Sequence, residues 1–75
     1  MGSADERNKN RVLECYQKYK DTVFKLAYSY CKSVTQAEDV FQDVFEKFMQ
    51  KAPDFSDEYH EKAWFIRVTI NACKN

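Results

Sequence analysis

Ala37-Glu38-Asp39-Val40-Phe41-Gln42-Asp43-Val44-Phe45-Glu46-Lys47-Phe48-Met49 is the stretch on which the fold turns. Its apolar residues stand at 37, 40, 41, 44, 45, 48 and 49, which winds one continuous stripe around a helix. Acids and an amide fill the positions between them. Nothing breaks the pattern before Pro53, which disfavours helical backbone in the residue ahead of it, so the helix is predicted to stop at Ala52. At the other end, Thr35-Gln36-Ala37-Glu38 reads as a capping box, with a Thr oxygen accepting from the amide three residues on.

Upstream, Val12, Tyr16, Tyr19, Val23, Leu26/Ala27 and Tyr30 recur at steps of three and four and predict one long helix from about Lys9 to Lys32. Residues 1–8 are expected to be a disordered leader or a cloning remnant, and 9–75 the folded domain. Downstream, Asp54 to Glu58 is a loop with Ser56 or Asp57 as the N-cap of a third helix, from about Tyr59 to the end. The expected buried stripe of that helix is Ala63, Ile66, Ile70 and Cys73. The fold class is therefore all-α, a compact three-helix domain.

Composition supports that reading. Seventy-five residues make one small domain, and a single Gly and a single Pro disfavour an all-β fold, whose turns need both. Hydrophobic residues at 44% are a globular composition and argue against intrinsic disorder. No apolar run reaches the roughly 18 residues of a membrane span, and no secretory signal opens the chain, so membrane insertion is not expected and the cytoplasm is. Cys15, Cys31 and Cys73 are odd in number and show no paired spacing, which suits buried thiols in a reducing compartment.

The chain also lacks the marks of catalysis. It has no Walker loop, no dinucleotide-binding glycine fingerprint and no His-Glu-x-x-His. Asp39 and Asp43 stand one turn apart, but on a polar face with nothing apolar to raise a carboxyl pKa. His60 with Cys31 and Cys73 lacks the close ligand pairs that zinc sites show. The expectation is no enzyme, no metal and no cofactor.

Charge is balanced over the chain and segregated along it. Residues 1–34 hold seven Lys/Arg and four Asp/Glu, residues 35–61 two against eight, and residues 62–75 three against none. An acidic middle between basic ends suits two partners of opposite electrostatic character, with phosphate repelled by the second helix and accepted near the first and third.

With those residues in view, the sequence resembles the second conserved region of bacterial RNA polymerase sigma factors, most closely the extracytoplasmic-function (ECF) group of the sigma-70 family. Ala37 to Phe45 is similar to the family's run of an acidic pair, two apolar residues, Gln, an acid, then an apolar residue and an aromatic. Lys62-Ala63-Trp64-Phe65-Ile66-Arg67-Val68-Thr69-Ile70-Asn71 is similar to its Ala-Trp-apolar-x-Arg-apolar-x-x-Asn signature. Tyr16 to Tyr28 resembles the opening helix. The likeness covers about residues 10–75.

The resemblance implies that Asp39, Gln42, Asp43 and Glu46 dock on the clamp helices of the polymerase's largest subunit. Lys62, Trp64, Arg67, Asn71 and Lys74 would meet the non-template strand of the promoter minus-ten element, Arg and Lys at phosphates and Asn71 at a base edge. The loop would capture a flipped base with Phe55, Ser56, Asp57 and Tyr59. Here the sequence departs from the family, which commonly places a basic residue and Gly after the Phe, where this chain has Ser56-Asp57-Glu58. The acidic loop keeps an alternative open: a helical protein-interaction module that binds polymerase or an anti-sigma factor without opening DNA. Sigma factors of this group add a linker and a helix-turn-helix region, so the chain is expected to be an excised domain or a truncated protein.

Overall fold

A computed structural model describes residues 3–51 and 53–74, with side chains from Asn10 onward. Three helices follow in order, α1 (Ser3–Cys31), α2 (Val34–Lys51) and α3 (Glu58–Lys74), with no strand among the described residues. The long axis of the molecule, 44 Å, is the length of α1, whose 29 residues rise about 1.5 Å each. The helix begins at Ser3, ahead of the expected start near Lys9. The expected end of α2, Ala52, lies outside the described residues, and the helix is seen as far as Lys51.

The helix ends are set by individual hydrogen bonds. Lys32 closes α1 in the left-handed region at φ 60°, and its amide donates to the Tyr28 carbonyl at 2.8 Å, the single bond that ends a helix on a left-handed residue. The cap of α2 is Ser33, not Thr35: its Oγ accepts from the Gln36 amide at 3.3 Å and its carbonyl from the Ala37 amide at 2.9 Å. Ser33 and Thr35 each have a Gln or Glu three residues on, and the tight turn after Lys32 selects the earlier one. Asp57 caps α3, with Oδ1 accepting from the His60 amide at 2.9 Å.

Cys15, Tyr19, Val23 and Ala27 are the buried stripe of α1, and Ala37, Val40, Val44, Phe45 and Phe48 that of α2. Tyr16, Tyr30 and Met49, expected in these stripes, are exposed, Met49 at 62%. The larger correction falls on α3. Its buried residues are Phe65 and Thr69, while Ala63, Ile66 and Ile70 are only half-buried and line an open strip on the outer side. The helix is thus rotated by one residue, about 100°, from the expected stripe.

Phe65 fixes that rotation. Its ring is fully buried and stacks on Tyr19 at 4.6 Å between centroids, with Phe48 at 5.2 Å and Phe45 at 5.4 Å. Thr69, polar by type, is buried beneath it because its hydroxyl donates to the Phe65 carbonyl at 2.6 Å. Phe48 is the matching ring on α2. Truncation to Ala at a site this enclosed costs about 3–5 kcal/mol. Phe48→Ala should therefore lower the denaturant midpoint sharply, whereas Met49→Ala should leave it nearly unchanged. Lys32→Gly should do the opposite. Relieving the left-handed strain outweighs the added freedom of the unfolded chain by roughly 0.5–1 kcal/mol, a rise of several degrees in Tm.

Candidate functional site

The loop between α2 and α3 is built as an anchored lip. Phe55 lies parallel to Phe48 at 6.5 Å and edge-on to Trp64 at 5.9 Å, and Trp64 packs edge-on against Phe48 and Phe65. Arg11 of α1 sits over both Phe rings, 5.3 Å from Phe48 and 5.6 Å from Phe55, and donates to the Pro53 carbonyl. One guanidinium thus ties α1, the end of α2 and the loop together. Trp64 and Phe55 serve the aromatic cluster first, each leaving part of its surface outside.

The acids of the loop are largely committed inside the molecule. Glu61 accepts from the Tyr19 hydroxyl at 2.8 Å, from Lys18 Nζ at 3.1 Å and from the Cys15 thiol at 3.6 Å. Glu58 also takes Lys18, Asp54 lies 3.9 Å from Arg11, and Asp57 caps α3 while its Oδ1 meets the His60 ring at 2.9 Å. The Arg11–Asp54 contact is exposed and weak. The first turn of α3 is therefore held to α1 by its carboxylates, and the negative charge that looked incompatible with phosphate is partly neutralised by α1 cations.

Glu61 is the hub of this network. Burial alone would raise its pKa, but the hydrogen bonds from Tyr19 and Lys18 outweigh it and hold the carboxyl below the ordinary range. Burial, with the Glu61 charge, pushes the Cys15 thiol up to about 11, and burial with the Glu61 bond pushes the Tyr19 hydroxyl up to about 12.

Of the α2 residues, Asp39, Gln42 and Glu46 are exposed, while Asp43 is half-buried and paired with Lys47 at 3.1 Å. Gln42 and Glu46 do not stand on a purely polar face. They rim a groove of about 790 Å³ between α1 and α2, floored by Val12, Leu13, Tyr16, Phe41, Phe45 and Met49. Leu13, Tyr16 and Met49 are exposed there, although the apolar periodicity alone puts Tyr16 and Met49 in the buried stripes.

On α3, Lys62, Arg67, Asn71 and Lys74 are exposed, and among the described residues Arg67 pairs with no acid. A second pocket, of about 290 Å³, lies between the loop and α3, lined by Phe55, Ser56, His60, Trp64 and Arg67 among others. Within it Ser56 Oγ lies 2.9 Å from His60 Nδ1. Tyr59 is the most exposed large ring, at 78%, and sits on the outer strip with Lys62 rather than in this pocket. The structure thus brings Phe55, Ser56, Trp64 and Arg67 together and leaves Tyr59 outside. No cluster of three or more His, Cys, Asp or Glu that could hold a metal occurs among the described residues. None of their helices is long and apolar enough to cross a membrane.

The fold is a small all-helical domain with an apolar groove between α1 and α2 and an aromatic-walled pocket between the loop and α3. Residues 15–75 match the family model for Sigma-70 region 2, most of the chain, and the chain belongs to that family. Comparison with curated proteins and with solved structures gave no match. Membership implies the role of an RNA polymerase sigma factor in transcription initiation, with core polymerase and promoter DNA as partners; the family is in general non-enzymatic.

Because the Glu61 carboxyl is held below its ordinary value of 4.5, its stabilising effect is complete above that value and drains away as pH falls through the lower folded pKa. Glu61→Gln should cost about 1–3 kcal/mol at neutral pH, since it weakens the bonds of Tyr19 and Lys18. It should also flatten the loss of stability below about pH 4.5, which urea titrations at several pH values would measure.

Proposed function

We propose that the chain is the region 2 domain of an ECF-type sigma factor, which docks on the clamp helices of the polymerase's largest subunit through the α1/α2 groove. The same domain recognises and melts the minus-ten element through α3 and the loop pocket. The observation that carries this reading is the presence of two surfaces of opposite character on one packed core. The groove is apolar with an acidic and amide rim (Gln42, Glu46), matched to a partner helix that offers apolar side chains and Arg. The other surface presents Arg67 at a pocket with aromatic walls, Lys62 and Asn71 on the adjoining outer strip, and Lys74 exposed at the end of α3.

On the first surface the apolar floor supplies affinity and the rim supplies register. Asp39 and Asp43 extend the acidic field along α2. Asp43 also fixes Lys47, so it contributes as part of an ion pair rather than as a lone charge. An anti-sigma factor would inhibit by covering this groove. On the second surface, Trp64 forms the back of the loop pocket and Phe55 its wall, where an extruded base can stack. Ser56 and His60 offer hydrogen bonds to a base edge, and Asp57 supports the pocket as the α3 cap rather than as a direct contact. A promoter-binding role places the protein with the chromosome, in the cytoplasm.

The alternative of an interaction module without DNA rested on the acidic loop. Lys18 between Glu58 and Glu61, with Arg11 near Asp54, offsets about half of the loop's four negative charges, so the loop weighs less against DNA than its composition does.

Two sets of variants test the reading. Leu13→Ser with Met49→Ser, both exposed, should weaken binding to a clamp-helix fragment at least tenfold without moving the melting curve. Asp43→Arg should also weaken it. Unchanged affinity in the double variant would remove the groove from the docking surface, and unchanged affinity in Asp43→Arg would remove the acidic side of α2. On the DNA side, Asn71→Ala should erode preference for a cognate minus-ten strand over a scrambled one, while Lys74→Ala should weaken both alike. Equal loss on both strands for Asn71→Ala would make that residue structural.

A further inference from the structure

Two of the three cysteines, far apart in sequence, meet in the fold. Cys31 is the last residue of α1 and Cys73 lies in the last turn of α3, and their Sγ atoms are 4.0 Å apart across a separation of 42 residues. Both thiols are free and half-buried against the edge of the core. We propose that Cys31 and Cys73 are a redox-responsive dithiol, closed to a disulfide by a peroxide and reopened by a thiol reductant.

The geometry supports closure. A disulfide needs its sulfurs at about 2.05 Å, so the pair must shorten by about 2 Å, within reach of side-chain rotation and a small shift of backbone. That shift falls at two helix ends, where the last carbonyls have no intrahelical partner and movement breaks few bonds. A metal does not explain the pair, because no third ligating side chain joins it among the described residues. Cys15 provides an internal contrast: it is buried and its thiol is bound to Glu61.

The chemistry balances with one peroxide. The Cys31 thiolate attacks a peroxide oxygen, the O–O bond breaks, and Cys31 becomes a sulfenic acid as water leaves with the thiol proton. Cys73 then attacks the sulfenic sulfur, forms the S–S bond and expels a second water. Two thiols lose two electrons and the peroxide gains them. Burial and the neighbouring Cys31 push the Cys73 thiol up to about 11, so at neutral pH the second step runs through a minor thiolate fraction and depends on the closeness of the two sulfurs. The cross-link would close a loop of about 40 residues and fasten the C-terminal turn of α3, which carries Asn71 and Lys74, to the end of α1. The inference rests on the thiols alone and does not depend on the promoter-binding reading.

The test treats the 75-residue chain with hydrogen peroxide at a slight molar excess. Intact mass should fall by about 2 Da, from the two hydrogens lost. Non-reducing peptide mapping should join the Cys31 and Cys73 peptides in a monomer. Tm should rise by roughly 10 °C or more, and dithiothreitol should reverse all three changes. Cys15→Ala should still form the cross-link, whereas Cys73→Ser should stop at a sulfenic acid trapped by dimedone. Three results on the wild-type chain would overturn the proposal without recourse to a variant: a bridge that includes Cys15, disulfide-linked dimers as the main product, or oxidation to sulfinic acid with no loss of mass.

Discussion

The fully buried ring of Phe65 is the contact on which the rest of the structure depends. It lies on Tyr19 of α1, on Phe45 and Phe48 of α2 and against Trp64 of its own helix. A domain this small has little apolar area to bury, so rings shared by three helices carry a large part of its stability. Once Phe65 points inward, the orientation of every other α3 side chain follows. Thr69 goes beneath it, Cys73 comes beside Cys31, Glu61 reaches Tyr19, and Lys62, Arg67 and Asn71 turn outward.

Much of this was legible in the sequence. The apolar positions of α2 repeat without ambiguity, and the deep ones, Ala37, Val40, Val44, Phe45 and Phe48, are buried as read. The cations and Asn71 on α3 are exposed, as their charge and polarity favour. The rotation of α3 was not legible, because that helix carries apolar residues on more than one side. Ile66 and Ile70 form a stripe as regular as Phe65 and Thr69, and periodicity cannot rank them. Volume and hydroxyl satisfaction decide it: a Phe ring fills the space between α1 and α2, and a Thr can be buried when its own helix accepts its proton.

The loop shows a different limit. Its acids were plain in the sequence, but their partners were not, since Lys18 lies 40 residues from Glu58. A count of charge by segment registers the sign of a region and misses the tertiary pairing that partly offsets it. The α1/α2 groove escaped for the converse reason. Leu13, Tyr16 and Met49 look like core residues by type, yet they line an open groove between α1 and α2 to which α3 contributes no lining residue. A domain that must recruit a larger partner leaves such apolar surface open, with polar residues at the rim.

The central claim is that one face recruits polymerase while the other meets promoter DNA too weakly to act alone. Fluorescence anisotropy of a labelled single-stranded minus-ten oligonucleotide, titrated with the chain in the presence and absence of core polymerase, tests it directly. With only Lys62, Arg67 and Lys74 as cations on α3, the chain alone should bind weakly, with a salt slope near about −2. Core polymerase should raise the affinity at least tenfold and make it specific for the cognate strand. Affinity that is the same with and without polymerase, or no preference for the cognate strand in its presence, would contradict the account.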